Sequence, residues 1–285
     1  MKKRVFLPVA LCLIFLLCSC GNQAQDTQGT AGDAEIGNES TEKQQATAQE
    51  DAETSDGLEE TITYDDLVLY DTETYTFMLK SVSPSEVTFS VDNRSAEGLS
   101  IEVMGVALDG QICNAEDYTA WSDIAPDSIA ERTIPCALSE VEHSTISGSF
   151  YVNQERITFQ NVSLGGSAAP LWESPGEDKL VYSDEYVDCY FLSLSESGDS
   201  VSFEVTNKST EDLMVDSESL AVDRVDMGEY ARIRVIPDTA ATLTIPLSSP
   251  IQSFSKLSGV FKASEYLSSN LASAVSDIAF VYEAP

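Results

Sequence analysis

Val87-Thr88-Phe89-Ser90-Val91-Asp92-Asn93-Arg94-Ser95 returns later in the chain as Val201-Ser202-Phe203-Glu204-Val205-Thr206-Asn207-Lys208-Ser209. Each copy alternates apolar and polar residues and then breaks at Asn-basic-Ser. Alternation at period two is the pattern of a half-buried strand, and Asn with Ser is the chemistry of the turn that ends it. The second Asn follows the first by 114 residues (207 − 93). Further along, Pro126-Asp127-Ser128 before Thr133-Ile134-Pro135 matches Pro237-Asp238-Thr239 before Thr244-Ile245-Pro246, at an offset of 111 (237 − 126). Ser144-Thr145-Ile146-Ser147-Gly148-Ser149-Phe150 matches Ser255-Lys256-Leu257-Ser258-Gly259-Val260-Phe261 at that same offset. Three matches in the same order indicate a duplicated unit in which the second copy has lost three residues.

Working outward, short runs rich in Val, Ile, Phe, Tyr and Thr recur between turn residues from Thr61 onward. Leu67-Val68-Leu69-Tyr70 and Tyr75-Thr76-Phe77-Met78-Leu79 open the first copy; Leu180-Val181-Tyr182 and Tyr190-Phe191-Leu192 open the second. Seven or eight such strands in about 105 residues predict a two-sheet sandwich. The fold class is therefore all-β, with two tandem sandwiches at 61–165 and 177–285 joined by a connector at 166–176. The Cys…Trp…Cys spacing of antibody domains is absent. In copy one a hairpin turn falls at Asp109-Gly110, in copy two at Asp223-Arg224. Positive φ suits Gly, so the second turn is expected to differ.

The N-terminus reads as an address. Lys2-Lys3-Arg4 precedes an apolar run from Val5 to Leu17, interrupted by Pro8. That run is short for a membrane span, which takes about 20 apolar residues, and suits a secretory signal. Leu17-Cys18-Ser19-Cys20-Gly21 follows and resembles the bacterial lipobox. The resemblance implies a signal peptide at 1–19, acylation of the Cys20 thiol, and Cys20 as the first residue of the mature chain. Two acyl chains satisfy the two-signal requirement for stable anchoring. The lipidated N-terminus and tether then cover 20–60. Residues 21–60 lack aromatics and carry 11 acids against the single base Lys43. They are expected to form a disordered acidic tether.

The formal net charge is −33, from 48 acids and 15 bases. So acidic a surface repels nucleic acid and anionic head groups, because phosphate binding needs clustered Lys and Arg. The arrangement is similar to anchored lipoproteins of Gram-positive bacteria that carry immunoglobulin-like domains of uncharacterised function. The features that carry this are the strand ending in Asn-[Arg/Lys]-Ser and the later Pro-Asp-[Ser/Thr] before an alternating strand. It implies an immunoglobulin-like fold and a place at the outer face of the cytoplasmic membrane, and no activity.

The candidate chemistry is sparse. His143 is the only histidine, so a Ser-His-Asp or Cys-His device would have to use it. It falls in a polar stretch and reads as a solvated loop residue; Phe254 occupies its place in copy two. One His and no paired Cys spacing predict no zinc site. Cys113, Cys136 and Cys189 remain beyond the signal and read as buried small hydrophobes, with a Cys113–Cys136 bridge as the alternative. Asp216, Glu218, Asp223 and Asp226 cluster in sequence without the pattern of a calcium loop, and read as a solvated edge. A carboxylate pair for hydrolysis is not marked by any local arrangement. At the 111 offset Trp121 aligns with Arg232 and Asp123 with Arg234, which predicts that Trp121 and Asp123, with Tyr118 nearby, share a wet face able to stack on a glycan or an envelope protein. Trp172, in the connector, is expected to pack between the sandwiches. The sequence thus points to a monomeric, non-catalytic structural or binding module without cofactor or metal, bound to the membrane through Cys20. The alternatives are a solute-binding accessory lipoprotein of a transporter or sensor, and a carboxylate-dependent hydrolase.

Overall fold

The structure, a computed structural model, describes residues 61–113, 119–136, 138, 142–165, 173–266 and 273–285. Cys20, the tether, Tyr118 and Trp172 lie outside them. The described chain is all-β, with one short 3-10 turn at Glu177–Lys179. Nine strands form the first repeat: β1 (Ile62–Asp71), β2 (Tyr75–Val82), β3 (Glu86–Asn93), β4 (Leu99–Leu108), β5 (Gln111–Ile112), β6 (Thr119–Ile124), β7 (Ser128–Pro135), β8 (Thr145–Val152) and β9 (Glu155–Ser163). Nine more follow in the second: β10 (Leu180–Ser183), β11 (Val187–Leu194), β12 (Ser200–Asn207), β13 (Leu213–Val222), β14 (Val225–Asp226), β15 (Arg232–Val235), β16 (Ala240–Pro246), β17 (Lys256–Glu265) and β18 (Ala274–Glu283).

The repeats share one strand order. One sheet runs β1-β2-β3-β7 in the first and β10-β11-β12-β16 in the second. The opposing sheet centres on β4-β8-β9, with β5 and β6 also pairing with β4; its counterpart is β13-β17-β18, with β14 and β15 pairing with β13. The quoted stretches are β3 and β12, equivalent strands, and Phe89 and Phe203 are both fully buried. Phe89 meets Phe150 with ring centroids 5.8 Å apart, and Phe203 meets the matching Phe261 at 5.0 Å. The alternation that marked these strands therefore points one aromatic from each inward across the sandwich.

The break after each strand has a specific cause. Asn93 and Asn207 are buried, and each side chain closes its own turn. The Asn93 amide donates to the carbonyls of Glu97 (2.9 Å), Ile124 (3.2 Å) and Ala125 (2.9 Å), while its Oδ1 accepts from the Ser95 amide and hydroxyl. The Asn207 amide donates to the carbonyls of Glu211 and Val235, both at 2.8 Å, and its Oδ1 accepts from the Ser209 amide and hydroxyl. The Asn ties the end of one sheet to the edge of the other. The intervening base stays at the rim: Arg94 pairs with Asp71 at 2.8 Å and Lys208 with Asp188 at 2.7 Å.

The two hairpin turns are alike, against expectation. Asp109-Gly110 has φ of 48° and 84°, and Asp223-Arg224 has 48° and 74°. Each Asp carboxylate reaches across to backbone amides at the start of the neighbouring strand, Ser144 and Thr145 in one repeat and Ser255 and Lys256 in the other. Those bonds hold Arg224 in the left-handed region that Gly110 enters without steric cost.

The repeats do not end independently. β16 lies beside β5 in parallel register, Ala240 opposite Gln111, and the Ala240 amide donates to the Gly110 carbonyl at 2.8 Å. One nine-stranded sheet therefore runs from β10 to β9 through both repeats. β4 is buried on both faces: Ile101, Val103, Val106 and Leu108 belong to the first core, and Met104 and Ala107 to the second. Gly105 allows the approach, since a Cβ there would stand 3.0 Å from Ile236 Cγ2.

Asn207→Ala should cost roughly 3 kcal/mol, because the buried carbonyls and the Ser209 amide lose their partner and each such loss costs about 1–3 kcal/mol. Asn93→Ala should cost a similar amount. Chemical denaturation of both variants checks this; a loss below about 1 kcal/mol in either would deny the side chain its closing role.

Candidate functional site

Trp121 is buried, at 6% exposure, and the expected wet face does not form around it. Its ring packs on Phe150 at 5.9 Å and Phe89 at 6.0 Å. The reason is a bulge. β6 pairs with β4 as Leu99 with Ile124 and Ile101 with Trp121, so Ser122 and Asp123 together oppose the single residue Ser100. Asp123 takes φ of 61°, and Trp121 and Ile124 both turn inward while Ser122 and Asp123 stay exposed. The extra residue also corrects the alignment. β15 pairs Val215 with Ile233, so the counterpart of Trp121 is the buried Ile233 rather than Arg232. Of the two residues of the proposed face that are described, Trp121 is buried and Asp123 exposed.

His143 is likewise buried, not solvated. Its Nδ1 lies 3.1 Å from Asp109 Oδ2, and Asp109 also holds the amides of Ser144 and Thr145. The pair completes the turn contact that Asp223 makes in the second repeat. Cys113 and Cys136 form a disulfide with Cα atoms 5.0 Å apart, the alternative to two free thiols. It joins the ends of β5 and β7, which belong to different sheets. Cys189 is free and fully buried. Burial, with the negative charge of Glu204 adding, pushes its thiol far up, which disfavours the reactive thiolate.

The acidic cluster read from the sequence divides in space. Asp223 serves its turn, whereas Asp216 and Glu218 line a cleft of ≈ 520 Å³ on the outer face of β13, with Glu229, Tyr230, Arg232 and Lys262. Register builds this cleft: Asp216 sits opposite Arg232 on β15 and opposite Lys262 on β17. Arg232 Nε donates to Asp216 Oδ1 at 2.5 Å, and the Tyr230 hydroxyl donates to the same oxygen at 2.5 Å. The guanidinium also stands over the Tyr230 ring, 5.5 Å from its centroid. Burial first, then the Asp216 contact, pushes the Tyr230 hydroxyl up to about 12, so it remains a donor at neutral pH. The result is a zwitterionic surface with an exposed aromatic ring. It suits docking of a partner better than proton transfer, because Asp216 is engaged by a cation and a phenol rather than facing a second carboxylate. Among the described residues, no group of three or more His, Cys, Asp or Glu side chains is placed to hold a metal ion.

One further cluster escaped the sequence reading. Asp212, almost fully buried, bridges the repeats. Arg156 of β9 reaches it with Nε at 2.8 Å from Oδ2 and Nη2 at 3.0 Å from Oδ1, and the Ser149 hydroxyl donates at 2.7 Å. Arg156 also contacts Glu211 at 2.9 Å. Beside this, Tyr151 and Tyr266 pack with centroids 5.5 Å apart; the Tyr151 hydroxyl donates to the Tyr266 carbonyl, and the Tyr266 hydroxyl to Glu102. The equivalent of Asp212 in the first repeat is Gly98, and that difference was the available signal. Desolvation raises the Asp212 carboxyl above its ordinary value, with Arg156 and Ser149 opposing.

No protein-family model matches the sequence, and no curated protein does. Among solved structures, red sea bream transglutaminase matches with 11% identity and a TM-score of 0.20 over 73% of this chain. This chain spans 28% of that protein's length, and so distant a likeness carries no argument about activity.

Because Asp212 is raised in the folded state, the fold binds its proton more tightly than the unfolded chain does. Its contribution therefore increases as pH falls through the raised folded value toward the ordinary 3.8. Wild type should gain stability relative to Asp212→Asn across that window, as measured by denaturation at a series of pH values. A gap that stays constant, or narrows on acidification, would contradict the assignment.

Proposed function

We propose that this chain is a non-catalytic structural or binding module, held at the outer face of a bacterial cytoplasmic membrane by acyl chains on Cys20. The observation that supports the module reading most is what the buried Asp109, His143 and Asp212 do. Asp109 fixes a turn and takes His143 with it, and Asp212 and Arg156 clamp the repeats together. Each of these groups is engaged in holding the fold rather than converging on an open site. The lipobox-like Leu17-Cys18-Ser19-Cys20 supports the location. With an acidic tether before the repeats, the folded part would stand off the head groups, which like charge also repels. Envelope proteins and glycans are the partner classes that such a position offers.

A solute-binding role for a transporter or sensor has one observation in its favour, the cleft built on Asp216, Tyr230 and Arg232. Its groups are paired and its rim is exposed, so it fits a protein surface better than an enclosed solute. A hydrolase is favoured less, since Glu218 and Glu229 are exposed and Asp216 is tied to Arg232.

The anchor is testable in the full chain expressed in a Gram-positive host fed an alkynyl fatty acid. Wild type should carry the label and pellet with membranes, whereas Cys20→Ser should lose the label and leave the pellet. Retention of Cys20→Ser in the membrane fraction would remove the anchor from the account.

A further inference from the structure

The junction inside the molecule joins one edge of the second repeat to one edge of the first. Its central pair is Ala240 on β16 against Gln111 on β5. Because the chain is a duplication, each partner in that pair has an equivalent in the other repeat. The equivalent of Ala240 is Ile129 on β7, at the 111 offset, and that of Gln111 is Val225 on β14, at the 114 offset. Among the described residues neither finds a strand neighbour beyond its own sheet, since β7 ends the sheet β1-β2-β3-β7 and β14 ends the sheet β14-β13-β17-β18. The molecule therefore displays an open copy of each half of its own junction.

Both open halves are apolar at the pairing position. Ile129 is 67% exposed and Val225 60%; with Tyr230 at 62% they are the three most exposed large apolar side chains among the described residues. Ala240, in the closed junction, is fully buried. Natural edge strands usually carry charge or proline where a stray strand could add. Here β7 keeps Glu131, Arg132 and Pro135 further along the edge and β14 keeps Asp226, but at the one position that matches the internal junction each edge carries a β-branched apolar residue. We infer that a second copy of this chain docks head to tail, β7 of one molecule lying parallel to β14 of the next, with Ile129 opposite Val225.

The rest of the interface sets its strength. Met104 and Ile112, apolar at the closed junction, are replaced at the open β13–β14 end by Glu218 and Asp226, and Asp212 is replaced by Gly98 at the open β7 end. The contact between copies thus lacks the Arg156–Asp212 clamp and much of the apolar area. It is weaker than the internal junction, and salt that screens Glu218 and Asp226 strengthens it. The contact is heterologous, so each copy that adds leaves both kinds of edge open, and the product is a chain or a ring rather than a closed two-fold dimer.

This names the partner for the binding-module reading and rests on it. The test reads contact between copies, whereas the anchor is read by membrane fractionation, so the two fail separately. Full-length chains carrying Ile129→Cys or Val225→Cys are expressed singly and together, and membranes are treated with a mild oxidant. Neighbouring strands lie about 4.8 Å apart, inside the roughly 4.4–6.8 Å Cα range of a disulfide. The mixed pair should give a disulfide-linked dimer several-fold above either variant alone, above wild type, and above a mixed pair of Glu196→Cys and Glu283→Cys at exposed positions elsewhere. Added salt should raise the yield, and Ile129→Lys in chains mixed with Val225→Cys chains should slow the sedimentation of the detergent-solubilised protein relative to wild type. Dimer no more abundant than with the Glu196 and Glu283 pair, in chains carrying Trp172→Phe whose Trp121 emission shows an intact first core, would overturn the proposal.

Discussion

An edge strand carries a row of backbone groups that must find partners or stay in water. At β16 that requirement is met inside the molecule, where the first repeat supplies β5 and the Ala240 amide finds the Gly110 carbonyl. Much of the rest depends on this contact. It places Met104 and Ala107 against the second core, brings Gly105 under Ile236, and sets Asp212 beside Arg156. Asp212 is costly to bury without Arg156, because removing the partner of a buried charge leaves it uncompensated and costs about 3–5 kcal/mol. The clamp therefore fixes register more than it adds net stability.

Much of the fold was legible in sequence because duplication writes the same constraints twice. The Asn93-Arg94-Ser95 and Asn207-Lys208-Ser209 breaks were visible as turns, and the structure adds why the Asn is required: its side chain satisfies carbonyls that the strand ends leave open. Phe89 and Phe203 were legible as inward residues from alternation alone. Trp121 was not, because the extra residue in the bulge at Ser122-Asp123 follows it and shifts Trp121 by one place against an offset fixed further along the chain at Pro126. Fixed offsets assigned it to Arg232, while the hydrogen-bond register assigns it to Ile233. Arg224 was missed for a different reason. The turn geometry is set by the Asp223 carboxylate across the hairpin, so the residue after it conforms.

The candidate sites were the least legible, since they lie where the repeats differ. Met104 against Glu218, Gly98 against Asp212 and Ile129 against Ala240 look like drift when copies are aligned. In space they separate a buried junction from two exposed ends. One signal was present in the run Val103-Met104-Gly105-Val106-Ala107-Leu108, which is apolar without alternation. That pattern belongs to a strand covered on both faces, and β13 lacks it. His143 illustrates the same limit: a polar neighbourhood in sequence became a buried contact because Asp109 lies across the turn.

The central claim is that the two repeats behave as one cooperative unit through the β5–β16 junction. Equilibrium unfolding in denaturant tests it most directly, followed at one place in each core. In a Trp172→Phe background, Trp121 emission reports the first core. Alkylation of the buried Cys189, read by peptide mass, reports the second. The account predicts a single midpoint common to both signals. Two separated transitions, with Cys189 exposed while Trp121 remains packed or the reverse, would contradict it.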